Sequence, residues 1–198
     1  NSVENIFLRK GDQIAAVIVE PIAGNMGVIL PEDGFLETLR NVTEKYDALL
    51  IFDEVITGFR VDYGGAQKIF NIKPDLTCLG KVIGGGLPVG AFGGQLDIMK
   101  NMAPLGTVYQ AGTLSGNPVV MSAGVATLAL LNNSTIYEDL EILGNYLERL
   151  FRELSNGLNL QVPRYGSMFS LFFSSNVVHN WNDVLASQLS YYKKFHRL

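Results

Sequence analysis

The sequence predicts an α/β fold: a mostly parallel sheet with helices on both faces, followed by part of a smaller α+β domain. Three observations carry that expectation. Two short β-branched apolar runs stand at Ile14-Ala15-Ala16-Val17-Ile18-Val19 and Ala48-Leu49-Leu50-Ile51-Phe52. Runs apolar at successive residues mark strands buried on both faces. Between them Phe35, Leu39, Val42 and Tyr46 recur at helical spacing, so residues 14–52 read as a β-α-β unit, which implies parallel strands with a helix packed on them. Past residue 131 the small-residue composition gives way to a charged amphipathic helix and a Phe-rich stretch. The boundary is therefore set at 132, with residues 1–132 as the larger α/β layer and residues 133–198 as the α+β piece.

The remaining elements follow in order. Pro31-Glu32-Asp33-Gly34 opens the first helix with acids in its first turn. Residues 76–79 form a short strand ahead of Lys81, and residues 88–94 another, thinned by glycines. Residues 119–131 read as an Ala-rich helix with little charge, expected to be largely covered. Residues 136–154 form an amphipathic helix with Leu140, Leu143, Leu147 and Leu150 on one stripe, and Gly157 ends it. Residues 167–173 read as a strand apolar on both faces, and residues 182–195 as a final helix.

Composition narrows the functions. The chain has 198 residues, 47% hydrophobic and 17% charged, with 21 glycines, which is globular composition. Its net charge of −4 shows no basic stripe for nucleic acid. The longest apolar runs are too short to span a membrane. No signal or transit peptide is visible in a chain that starts at Asn1 rather than Met. Cys78 alone precludes an internal disulfide, fits a reducing compartment and supports a cytoplasmic location. It reads as a small buried hydrophobe, since neither His179 nor His196 is related to it. No metal site is expected.

The chemistry gathers around Lys81. It lies between the apolar run 76–79 and Gly84-Gly85-Gly86, and the nearest acids in sequence are Asp75 and Asp97. A lysine stripped of water favours its amine form and becomes a nucleophile toward carbonyls. The glycines allow positive φ and close approach. On these residues alone two readings stand: a surface lysine in a flexible loop, or a nucleophilic amine. The Gly-x-x-x-x-Gly-Lys-Ser/Thr order of a phosphate loop is absent. Ligands of open parallel sheets bind outside the carboxyl ends of the strands, where Asp53 and Glu54 stand. An acid there either caps a loop or works on a ligand. A pyridine-ring cofactor needs a carboxylate at its ring nitrogen and a lysine for its aldehyde. Asp53 and Lys81 would supply both, with Val55 against the ring face.

The stretches Asp53-Glu54-Val55-Ile56-Thr57-Gly58-Phe59-Arg60, Glu20-Pro21-Ile22-Ala23-Gly24-Asn25-Met26-Gly27 and Tyr109-Gln110-Ala111-Gly112-Thr113-Leu114-Ser115-Gly116-Asn117-Pro118, with Lys81 before a glycine triplet, resemble the class III pyridoxal-phosphate aminotransferases of fold type I. Within that family the resemblance narrows to its aminomutase branch, through residues 59–67 and 109–118. It implies a cofactor, pyridoxal 5'-phosphate, with the pyridoxamine 5'-phosphate form in the cycle. It implies a small-molecule substrate and an isomerisation of glutamate-1-semialdehyde to 5-aminolevulinate for tetrapyrrole (porphyrin) biosynthesis. By the same resemblance Lys81 would be the catalytic, cofactor-holding lysine and Asp53 the partner of the pyridinium nitrogen. Val55 would pack on the ring, Asn25 would reach its phenolic oxygen, and Tyr109 would lie in the same pocket. Gly112 and Thr113 would bind cofactor phosphate across the interface of a homodimer with shared active sites. Chains of the family extend beyond this one on both sides and carry further site residues there. Gln95 stands where a basic residue is expected and reads as a surface change. Three rivals remain: an ω-aminotransferase with a 2-oxo acid acceptor, a non-catalytic cofactor-binding domain of a regulator, and a folding or interaction module that binds nothing.

Overall fold

The computed structural model describes residues 2–155 and 157–197. They pack as two units, Asn1–Pro21 with Asp33–Asn132, and Ile22–Glu32 with Asn133–Leu198. The first unit runs α1 (Ser2–Lys10), β1 (Ala16–Val19), α2 (Phe35–Lys45), β2 (Leu49–Glu54), α3 (Gly65–Ile69), β3 (Leu76–Gly80), β4 (Gly90–Gly94), α4 (Leu96–Met99) and α5 (Pro118–Leu131). Its sheet has the order β1-β2-β3-β4. The first three strands are parallel and β4 is antiparallel to β3.

Helix α2 forms where the apolar spacing places it. Gly34, at φ 78, turns the chain into its first residue, and the Thr38 hydroxyl donates to the Gly34 carbonyl at 2.7 Å. Its buried face, Leu36 and Leu39, meets Leu50 and Phe52 of β2 and Ile72. A second cluster joins Phe7 of α1 to Val42 and Ala48. Each fully buried side chain of this size contributes about 1.5–3 kcal/mol.

Among the described residues α1 and α2 pack on one face of the sheet, and the other face is half-buried along β2. Along β2, Leu50, Phe52 and Glu54 are buried while Leu49, Ile51 and Asp53 are half-buried. Ile18 of β1 is 62% exposed. The strands are apolar on both sides, but these residues bring α1 and α2 to one side only. The expectation that α5 is largely covered is corrected. It is apolar all round, yet Val119, Val125 and Leu130 are 66%, 71% and 70% exposed. An apolar sequence specifies apolar surroundings, which the described residues do not provide here.

Gln95 is exposed, as expected of a surface change, and its side chain also makes a structural contact. Asp75, largely buried, accepts from the Leu50 N–H at 2.6 Å, from Arg40 at 3.0 Å and from the Gln95 amide at 2.5 Å. Gln95 thus helps fasten α2, β2 and β3 at the amino end of the strands.

The second unit contains α6 (Ser134–Leu154), β5 (Arg164–Tyr165), β6 (Met168–Phe169), α7 (Trp181–Ala186) and α8 (Leu189–His196). Asn133 caps α6, its side chain accepting from Thr135 N–H. The single strand expected over 167–173 is instead a two-residue hairpin arm plus an isolated bridge between Gln161 and Phe172. Gly166, at φ 55, makes the hairpin turn. Beyond β6, Ser170 takes the Val28 N–H on its hydroxyl at 2.8 Å. The expected final helix is two, because Ser187 is extended at ψ 154. The sequence pattern places residues 22–32 in the larger domain, whereas the structure packs them here. Gly27, at φ 94, lies so close to the Phe172 ring that a Cβ would collide with it. Ile29 shares a core with Phe172 and Val178.

Candidate active site

The parallel register of β2 and β3 builds the site. Asp53 pairs with Cys78 and Glu54 with Leu79, so both strands end side by side. Side chains alternate along a strand. Asp53 therefore faces the open side with Ile51, and Glu54 faces the covered side. One Asp53 oxygen accepts the Val55 N–H at 3.1 Å, which orients the carboxylate from its own loop. The Cys78 thiol is pushed up by burial and then by the neighbouring Asp53 charge. That keeps it protonated and supports its reading as a small hydrophobe.

Two residues past Leu79 the chain turns sharply. Gly80 is extended, and a Cβ there would stand 3.2 Å from Val55 Cγ1 and 3.4 Å from the Val89 carbonyl oxygen. Val55 thus leans over the end of β3. Lys81 follows at φ 46. A non-glycine residue in that region costs of order 1–3 kcal/mol and is held only by its surroundings. Helix α5 supplies them. A Cβ on Gly124 would collide with the Ile83 carbonyl oxygen, and one on Gly85, at φ 58, with Thr127 and Ala123. Gly85 is thus a left-handed residue packed against α5, whereas Gly86, at φ 94, has open space beside it.

Lys81 itself is exposed among these residues. The loss of water expected for it is not supplied by the described residues. Asp53, Val55 and Lys81 are brought together at adjacent strand ends. Tyr109, Gly112 and Thr113 lie on an exposed segment before α5, where Ser115 N–H bonds the Gly112 carbonyl and Asn117 caps the helix through Val119 and Val120. Asn25 is an exposed residue of the second unit, in an isolated bridge with Gly27. Sequence reasoning left Glu54 without a role. It is fully buried and accepts four hydrogen bonds. The signal available was its place next to Asp53, which strand alternation turns to the opposite face.

Residues 1–194 match the family described as Aminotransferase class-III. The chain belongs to the class-III aminotransferase family. A glutamate-1-semialdehyde 2,1-aminomutase of Thermosipho melanesiensis is 56% identical over 98% of this chain and 47% of its own length. The chain spans about half the length of the curated relatives it matches. Two solved structures of similar fold carry different names. An omega-transaminase from Sphaerobacter thermophilus is 36% identical with a TM-score of 0.85, over 92% of this chain and 42% of that one. A glutamate-1-semialdehyde aminomutase from Pseudomonas aeruginosa in complex with PMP is 26% identical with a TM-score of 0.82, over 94% and 43%. As a class-III aminotransferase the chain has the expected α/β fold, and the antiparallel β4 makes its sheet mostly rather than wholly parallel.

Proposed function

We propose that this chain is the lysine-bearing part of a pyridoxal-phosphate-dependent aminomutase that converts glutamate-1-semialdehyde to 5-aminolevulinate for tetrapyrroles, in the cytoplasm. The observation that carries this reading is the β2–β3 register, which sets Asp53 and Lys81 at adjacent strand ends of a chain 56% identical to a named aminomutase. The location rests on composition. Among the described residues no single helix is long and apolar enough to cross a membrane.

The residues present fit the cofactor. An oriented carboxylate lies on the less covered face of the sheet, a lysine follows at the next strand end, and Gly80, lacking a Cβ, lets Val55 close over that end. When bound, pyridoxal phosphate supplies an aldehyde carbon that condenses with amines and a protonated ring that takes up electrons. Lys81 would hold that aldehyde through Nζ, and then carry a proton at the same nitrogen between two carbons. Asp53 would face the ring nitrogen and keep it protonated, with Val55 on the ring face. Asn25 would reach the phenolic oxygen, and Tyr109 would line the same pocket. The Gly112 N–H and Thr113 hydroxyl would bind phosphate in the neighbouring subunit of a homodimer. The exposure of residues 109–114, and of Val119 and Val125 on α5, supports that shared arrangement.

The second reading is a two-substrate transaminase. It is favoured by the omega-transaminase structure, whose 36% identity exceeds the 26% of the solved aminomutase. The holoenzyme in its aminated form, given glutamate-1-semialdehyde alone, separates the two. The aminomutase yields 5-aminolevulinate over many turnovers. Arrest after one equivalent, relieved by an added 2-oxo acid, establishes the transaminase.

A further inference from the structure

We propose that Glu54 is a positioning residue, a buried clamp that fixes Asp53 and the end of β3 from the side of the sheet opposite the cofactor. The inference deepens the reading above and rests on it. Glu54 is fully buried. Its Oε2 accepts from the Thr57 hydroxyl at 2.9 Å and the Ala66 N–H at 2.6 Å. Its Oε1 accepts from the Gln67 N–H at 3.1 Å and the Gln67 side-chain amide at 3.0 Å. A single carboxylate thus gathers both ends of the loop between β2 and α3.

Two further contacts carry the clamp to β3. The Gln67 amide also lies 3.4 Å from the Thr77 hydroxyl. Gly58 donates to the Glu54 carbonyl at 2.8 Å and sits so close to Leu79 that a Cβ would collide with it. Gly65, at φ 69, lets the backbone reach the carboxylate, since a Cβ there would strike both oxygens. Asp53 precedes Glu54 on the same strand, and Leu79, in register with Glu54, stands two residues before Lys81. Tightening the covered face therefore fixes the separation of the two groups on the open face. The loop that Glu54 holds also contains Val55, whose N–H orients Asp53.

Glu54→Gln offers one oxygen instead of two and sets an amide N–H₂ against donors, so the clamp opens. The test is the absorbance of the bound cofactor against pH, with cofactor affinity and melting temperature measured beside it. Glu54→Gln should move the pH midpoint of the spectrum by roughly half a unit or more, because the Asp53 charge shifts relative to the lysine. It should weaken cofactor binding ~10-fold, the size found when outer partners of a ligand group are lost. Glu54→Gln combined with Gln67→Glu restores one donor–acceptor pair and should recover part of both. Thr57→Val removes one donor, leaves the carboxylate, and should shift the midpoint in the same direction by less. A lower melting temperature with the midpoint and affinity of wild type, in any of these folded variants, overturns the proposal and leaves Glu54 a purely structural residue. Wild-type holoenzyme without a cofactor spectrum would instead overturn the functional reading beneath it.

Discussion

In the first unit the Glu54 carboxylate is enclosed by neutral donors, two of them backbone N–H groups in the first turn of α3. In the second, Arg164 is enclosed by charge. Its guanidinium, with the side chain 10% exposed, donates to Glu141 at 2.8 Å and to Glu148 at 2.9 Å, both on α6, and to the Asn145 oxygen at 2.7 Å. The first arrangement fixes the segment between β2 and α3 through one carboxylate. The second fastens a hairpin to a helix through groups whose protonation reports on it. Arg164 itself is held still more firmly protonated, first by its hydrogen bond to Glu141. One polar centre shapes a site, and the other holds a scaffold.

Substitutions separate those two roles. The largest effect is expected at the open face of the first unit. Asp53→Asn should slow turnover by roughly 10²–10⁴, the loss of ~3–5 kcal/mol of transition-state stabilisation, while the circular dichroism spectrum stays that of wild type. Near wild-type turnover would remove Asp53 from the site. In the second unit Arg164→Met should leave turnover nearly unchanged and lower stability by about 1–3 kcal/mol in denaturant titration. The low end is expected, because Glu141 and Glu148 keep 48% and 26% of their side chains exposed.

The pH dependence sharpens the same contrast. The Glu141 carboxyl is lowered chiefly by the hydrogen bond from Arg164, and Glu148 by those from Arg152 and then Arg164. A carboxyl lowered in the folded state contributes stability that is complete above its unfolded value of about 4.3. That contribution is lost as pH falls through the folded value. The stability gap between wild type and Arg164→Met should hold from neutral pH to about 5 and shrink below about 4. A gap that stays constant into acid would assign it to lost packing of the Arg164 stem. The smallest effect concerns Cys78. Its thiol, pushed up mainly by burial, should alkylate slowly in wild type, and Asp53→Asn should speed the reaction without making it fast. An unchanged rate would separate Cys78 from the Asp53 charge.

How much of this was legible in sequence follows from the range of the forces involved. The β-α-β unit could be read because apolar spacing over 14–52 encodes both the element and the face it buries. Asp53 and Lys81 could be paired because strand ends of one sheet meet. The exposure of Ile18 and of α5 could not, since apolar runs state what they require and not who supplies it. Glu54 stayed hidden because its donors lie at residues 57, 66 and 67, joined only when Gly65 turns the chain. The split of the last helix and the brevity of β5 and β6 depend on single dihedrals at Ser187 and Gly166. The packing of residues 22–32 with the second unit rests on Gly27 against Phe172, a contact with no periodic signature.

The proposed function makes Lys81 the residue that would hold the cofactor. Borohydride reduction of the holoenzyme fixes the cofactor on the amine that carries it, and peptide mapping then locates the modified lysine. The cofactor should be recovered on Lys81, at the packed turn after β3. Recovery on Lys68, Lys73 or Lys100 would rule Lys81 out, because none of those residues follows β3 beside Asp53.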